Sequence, residues 1–304
     1  MDASPAVARG RSSSLEDRAR PGLLLFAGQV RYQLLLLIRS PVASFITLVV
    51  PLMLLVALDL VTPEMTLRSL RGTRVTQFLT PAMASFAVLN CGFVNTVIGT
   101  TLAREQGILK RLRGTPLPAW TYLAGRLGAA VVLTACSVTA VLGAGVVLFH
   151  AHLALSSLSP LVGSIAAGLV VSFALGVATA GLVKSSEAAL PIAYGLLLPV
   201  AFISGVFFPA PNEAHWLRTF AAALPVQPFA SAMEGAFATP PRAATLHQLA
   251  VLALWSLGAV TLGAIGFSWQ PREPRRSRGA HGRSRRRGPR TAQPAVTPAA
   301  KADG

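Results

Sequence analysis

Arg104-Glu105-Gln106-Gly107-Ile108-Leu109-Lys110-Arg111-Leu112-Arg113-Gly114-Thr115-Pro116-Leu117-Pro118 lies between two long apolar runs, Phe78 to Leu102 and Leu127 to Phe149, and neither run contains a charged residue. Each run exceeds the ~20 apolar residues that carry a helix across a bilayer core. A charged segment held between two such runs reads as a loop at a membrane surface. In hydrocarbon a helix satisfies its backbone polar groups internally, so the reading fixes the fold class as an all-α integral membrane protein.

The bulk composition agrees. The chain is 53% hydrophobic and 12% charged, with mean hydropathy +0.57, against roughly 25% charged residues in ordinary soluble domains. A net charge of +16 could suggest nucleic acid. The basic residues sit in tails and loops between apolar runs, however, and form no aromatic-interleaved surface, so no nucleic-acid partner is expected. Cys91 and Cys136 each fall inside an apolar run without CxxC spacing and read as small membrane-buried side chains.

Working outward, residues 1–21 are polar and Ser/Arg-rich, too charged for the core of a signal peptide, and are expected to be a disordered cytoplasmic N-terminus. Residues 22–38 are apolar but interrupted by Gln29, Arg31 and Gln33, which predicts an interfacial helix lying in the inner leaflet. Six spans follow, at about 42–61, 78–102, 123–149, 161–183, 188–208 and 246–269. Pro191 and Pro199 are expected to break the fifth and to turn it toward protein rather than lipid. Residues 210–242 are too polar to span, and Trp216, Leu217, Phe220 and Leu224 recur at helical spacing, which predicts short re-entrant helices between the fifth and sixth spans. Trp269 would anchor the last span at the interface. Residues 22–270 thus form one six-span domain, and 271–304 a disordered basic cytoplasmic tail.

Orientation follows from Lys and Arg. Of the 27 such residues, 22 fall in residues 1–41, the 103–126 segment, Lys184 and the stretch after 270, which lie on one side; Arg68, Arg71, Arg74, Arg218 and Arg242 fall on the other. The positive-inside rule puts both termini in the cytoplasm of a multi-pass protein of the cell (plasma) membrane.

The interfacial helix, the six spans, the loop Glu105 to Leu112 followed by Thr115-Pro116-Leu117, the late Ser204-Gly205-Val206-Phe207-Phe208-Pro209 and the segment Leu224-Pro225-Val226-Gln227-Pro228-Phe229 together resemble the permease subunit of an ABC-2 type transporter over roughly residues 22–270. In general character the drug-exporter permeases of the daunorubicin/doxorubicin type are similar. Two departures from the family pattern stand out: Ile108 replaces the usual Thr, and Glu234 stands near the position of a usual Arg. The resemblance implies an exporter of amphipathic drug-like or lipid-linked compounds, in which the 104–118 loop is a coupling helix docking on a separate P-loop ATPase. Glu105, Gln106, Gly107, Leu109, Lys110, Arg111 and Leu112 are the expected coupling residues. Their charges complement a short helix dipole, and Ile108, Leu109 and Leu112 would give it an apolar face suited to a groove.

No GxxxxGK[ST] occurs, so ATP and Mg²⁺ are expected on the partner, with no cofactor or metal bound by this chain and no enzymatic activity of its own. A homodimer or a paired permease is expected to complete the pathway, with membrane lipid around it. Other readings fare less well. A rhomboid-type protease would show Gly-x-Ser-Gly, but Phe202-Ile203 precede Ser204-Gly205, and His150 and His152 lack further metal ligands nearby. A self-contained secondary transporter or channel is the alternative, although Asp59 and Glu187 lie only at span ends and no filter motif is visible.

The second span carries Ser85, Asn90, Asn95, Thr96 and Thr100, which with Ser204 are candidate pathway-lining residues; helix–helix hydrogen bonding is the equal alternative. Gly143, Gly145, Gly168 and Gly176 read as close-packing positions. Arg68, Arg71 and Arg74 would form a basic stripe if helical.

Overall fold

The computed structural model describes residues 41–61, 66–67, 73–108, 111, 119–207 and 215–266, with positions 28, 30, 31 and 35. Those four positions are helical; the remainder of the interfacial helix expected over 22–38, and both expected tails, lie outside the described residues. The elements in chain order are α1 (Pro41–Val61), a two-residue antiparallel ladder of β1 (Thr66–Leu67) and β2 (Thr73–Arg74), α2 (Val75–Leu89), a π-helical turn (Asn90–Val94) and α3 (Asn95–Glu105). They continue with α4 (Ala119–Val147), a 3-10 turn (Leu155–Ser157), α5 (Leu158–Leu182), α6 (Ser186–Ile203), α7 (His215–Ala223), α8 (Val226–Ala236) and α9 (Leu246–Gly266). In the ladder Thr66 pairs with Arg74 and Leu67 with Thr73, so Arg74 belongs to an extended strand rather than to a helical stripe; Arg68 and Arg71 lie outside the described residues.

Among the described residues, five helices are long and apolar enough to cross a membrane: Thr76–Glu105, Tyr122–Val147, Leu155–Leu182, Ser186–Ile203 and Leu246–Ala264. α1, with 21 residues, is ~31 Å long at 1.5 Å per residue, close to the ~30 Å hydrocarbon thickness. The chain is a multi-pass, helical membrane protein with α7 and α8 inserted between its last two long helices.

The helix formed by α2, the π turn and α3 is the centre of the bundle, and every side chain from Phe78 to Val94 is buried. Its composition explains this. Ala82, Ala84, Ser85 and Ala87 let neighbours approach closely, while Phe78, Met83, Phe86 and Phe93 fill the space between them. A helix apolar on all sides needs packing on all sides. α1 and α4 cover it on one flank and α5 and α8 on another, while α9 packs along α5 in the most extensive pairing of the fold. Lipid tails are as apolar as leucine, so the helices associate through close packing and inter-helix hydrogen bonds rather than through escape from water. Gly145 lies against the Thr80 side chain and Gly168 against the Phe229 ring, and a Cβ at Gly176 would come within 2.9 Å of Thr96 Cβ. Gly143, expected to pack likewise, is exposed with no neighbour within 4 Å of a built Cβ.

The α6 helix departs from expectation in two ways. It runs unbroken through Pro191 and Pro199, and in the single chain both prolines are exposed, together with Ile192, Gly195, Leu196 and Phe202. It also ends at Ile203, short of the expected Phe208. Gly205 adopts a left-handed φ of 72°, Val206 N–H bonds Ala201 O at 3.1 Å, and the chain folds back so that the Phe207 ring sits 5.3 Å from Phe86.

The opposite end of the bundle from the 104–118 loop is tied by side chains. Thr76 Oγ1 donates to buried Asp59 at 2.6 Å, and Gln77 both donates to His152 O (2.9 Å) and accepts from His152 N–H (2.8 Å). α9 starts with a capping box: Thr245 N–H donates to Gln248 Oε1 at 2.7 Å, and Gln248 N–H donates back to Thr245 Oγ1 at 3.3 Å. Trp255 Nε1 donates to Ala223 O at 2.8 Å and joins α9 to the end of α7.

Gly168→Ala is expected to destabilise the protein by about 1–3 kcal/mol, because the new methyl must displace a fully buried Phe229 ring. Gly143→Ala, in open space, should leave stability unchanged or slightly raised. Thermal unfolding of the two variants in the same detergent tests the contrast, and equal melting temperatures would contradict it.

Candidate coupling site at the end of the buried helix

The α3 helix ends where its apolar sequence gives way to charge. Gln106 N–H bonds Leu102 O at 3.0 Å, Gly107 N–H bonds Arg104 O at 3.1 Å, and Gly107 takes a left-handed φ of 67°. A side chain at that φ would be strained, which suits glycine just past a helix end. Arg111 N–H then bonds Gly107 O at 3.0 Å, starting a new helical turn in a new direction. Gln106 and Arg111 are exposed. Ile108, expected on an outward apolar face, instead packs inward against Ala103, Tyr122 and Leu123, because turning at Gly107 folds it back over the start of α4. Leu109, Lys110 and residues 112–118 lie outside the described residues, so of the expected coupling residues the structure locates Glu105, Gln106, Gly107 and Arg111.

Glu105 is exposed, and its carboxylate is bonded to a neighbouring helix end. Its Oε1 accepts the Ser186 N–H at 2.8 Å and its Oε2 accepts the Ser186 hydroxyl. Ser186 is the first residue of α6, so the carboxylate sits at a helix N-terminus, where backbone N–H groups lack partners and the helix dipole favours negative charge. Ser185 supplies a second cap, accepting from Ala188 N–H at 3.3 Å. The preceding residue, Arg104, is 4% exposed, and it donates to Ala180 O at 2.9 Å and to Val183 O. These carbonyls belong to the C-terminal turn of α5, where a cation is favoured. Two adjacent residues of opposite charge therefore hold both ends of the 183–185 turn. The sequence offered a faint signal, an Arg-Glu pair in the last turn of an apolar helix, but the partners lie about 80 positions away.

Arg126, counted with the loop cations in the sequence, is buried within α4 and donates through Nη2 to Asn95 O at 2.5 Å, across Gly99. The positive-inside asymmetry survives without it.

The candidate pathway residues point into the packed bundle of the single chain. Ser85 Oγ donates to Pro81 O at 2.8 Å, and Asn90 Oδ1 accepts from Tyr194 Oη at 3.0 Å. Thr96 is buried against Gly176, and Asn95 is half-buried. Thr100 Oγ1 and Ser204 Oγ are buried without a hydrogen-bond partner. Beside the π turn a cavity of about 260 Å³ is lined by Leu89, Phe93, Leu175, Leu196, Val200 and Trp255 among others.

At the far end, on α8, burial pushes the Glu234 carboxyl up to about 7. The folded protein thus holds this proton more tightly than the unfolded chain, whose carboxyl titrates near 4.5. Ionisation costs no stability below pH 4.5, increasingly more between 4.5 and 7, and its full amount above 7. The melting temperature in detergent is expected to fall between pH 5 and pH 8, with Glu234→Gln flattening that dependence; an unaltered slope in the variant would contradict the assignment.

Residues 26–238 match the family of ABC-2 type transporters. No curated protein and no solved structure matches the chain. The match covers well over half of the chain and spans the central helix, its terminal loop and the α7–α8 insertion. The chain belongs to the ABC-2 type transporter family, as a membrane-spanning permease subunit of an ABC transporter.

Proposed function

We propose that this permease is one half of an ATP-driven exporter in the plasma membrane, with both termini cytoplasmic and α1 as a sixth span. A separate P-loop ATPase, carrying ATP and Mg²⁺, docks on the 105–112 segment, and the cargo is amphipathic: a drug-like or lipid-linked compound. The observation that carries the reading is the position of the loop, which emerges from the most buried helix of the bundle, so that force applied to the loop acts on the core. Exposed Gln106 and Arg111 leave that segment accessible to a partner.

Pairing with a second permease is supported by α6. Pro191 and Pro199 each leave a carbonyl four residues earlier without its helical N–H, and the same exposed face carries Gly195 and Leu196. Prolines at membrane depth are tolerated where protein covers them. The apolar cavity beside the π turn suits the hydrocarbon part of an amphipathic cargo. The pathway-lining role of Ser85, Asn90, Asn95, Thr96, Thr100 and Ser204 belongs to this proposal, through rearrangement of a bundle that is closed in the single chain. The regions outside 22–270 serve as tails at the inner surface.

Purification of the tagged chain from its own host membrane in mild detergent, followed by mass spectrometry, is expected to bring down a P-loop ATPase in stoichiometric amount. Changing Lys110 and Arg111 together to Ala should abolish that recovery without lowering membrane abundance. Absence of an ATPase in several detergents would favour a self-contained secondary transporter or channel instead.

A further inference from the structure

We infer that Arg104, Glu105 and Ser186 form the link through which movement of the coupling loop reaches α5 and α6, with Arg104 and Glu105 acting as positioning residues. The inference rests on the exporter reading above. Its basis is the double attachment at the end of α3: Arg104 donates to Ala180 O and Val183 O at the C-terminus of α5, and Glu105 accepts both donors of Ser186 at the N-terminus of α6. Each charge matches the helix end it meets, so neither half of the contact opposes the other. The connecting turn is three residues long, Val183 to Ser185, and both of its flanks are held.

A displaced α3 end therefore carries the α5–α6 hairpin with it. The two helices reach different parts of the bundle. α5 packs along α8 and, most extensively, along α9, while α6 carries the exposed Pro191–Pro199 face. The chain pivots at Gly107 immediately beyond the attachment, so the loop can tilt on its partner while Arg104 and Glu105 keep their grip on the hairpin.

Ser186→Pro separates this role from direct docking, because it leaves the loop untouched. Ser186 is the first residue of α6, a position proline favours, and Ser185 before it is extended (φ −133°, ψ 154°), as a residue preceding proline must be. The Ser185 cap on Ala188 N–H is retained, whereas both donors to Glu105 are lost. The purified permease–ATPase complex is compared by hydrogen–deuterium exchange without nucleotide and after trapping with Mg-ADP and vanadate, reading residues 183–190.

The wild-type complex is expected to show a nucleotide-dependent change in exchange there, and Ser186→Pro to lose that change while keeping the ATPase bound. Ser186→Ala, which removes the hydroxyl alone, should reduce the change and carries the test if the proline variant does not reach the membrane. A wild-type-sized change in either variant, or none in the wild type, overturns the link. Failure to recover an ATPase with the wild type would instead overturn the exporter reading on which it stands.

Discussion

Where a transmembrane hairpin turns, two helix ends lie side by side, one with carbonyls and one with amides left over, and at the edge of hydrocarbon each needs a partner. Here the partners are the paired charges of Arg104 and Glu105, brought from the end of a third helix. That contact gives α5 and α6 a fixed position on α3, and through α3 on the buried core. The arrangement of α8 and α9 follows, since both pack on α5. An arginine bonded to carbonyls and a carboxylate bonded to an amide and a hydroxyl are charge-assisted bonds, roughly twice as strong as neutral ones. Such bonds hold three helices together at the end that carries the charged 104–118 segment.

The interior shows the complementary strategy. No water is expelled when these helices associate, so the core relies on shape: small residues where helices cross, aromatic rings where they do not. Phe229 over Gly168 and Phe207 folded back onto Phe86 are the clearest cases. Several polar side chains in the same interior are tied to backbone carbonyls or to one another, as with Ser85 to Pro81 and Tyr194 to Asn90, whereas Thr100 Oγ1 and Ser204 Oγ are not.

Apolar runs long enough to span were legible in the sequence, and so were the interruptions between them, because hydropathy is a local property. The charged loop at 104–118 was legible for the same reason. What sequence could not supply was partnership. Nothing near Glu105 in the sequence pointed to Ser186 as its partner, and Arg126 looked like a loop cation although it is buried and bonded to Asn95 O. Ile108 looked outward because the loop was read as one straight helix; the turn at Gly107 reverses it. The prolines of α6 were expected against protein, and among the described residues of the single chain they are exposed.

The π turn at Asn90–Val94 has a geometric effect on everything below it. Asn95 N–H reaches back five residues to Asn90 O instead of four, so the helix has gained one residue without gaining a turn. Residues after Val94 are rotated by about 100° relative to where an unbroken α-helix would point them. An unbroken α-helix would hold Ser85, Thr96 and Thr100 within about 60° of one another; the extra residue turns Thr96 and Thr100 away from the Ser85 side, so that Asn90 addresses Tyr194 on α6 and Thr96 addresses Gly176 on α5. Straightening that turn would bring Thr96 and Thr100 back toward the side of Ser85, and the same rotation would turn the α3 end and everything attached to it.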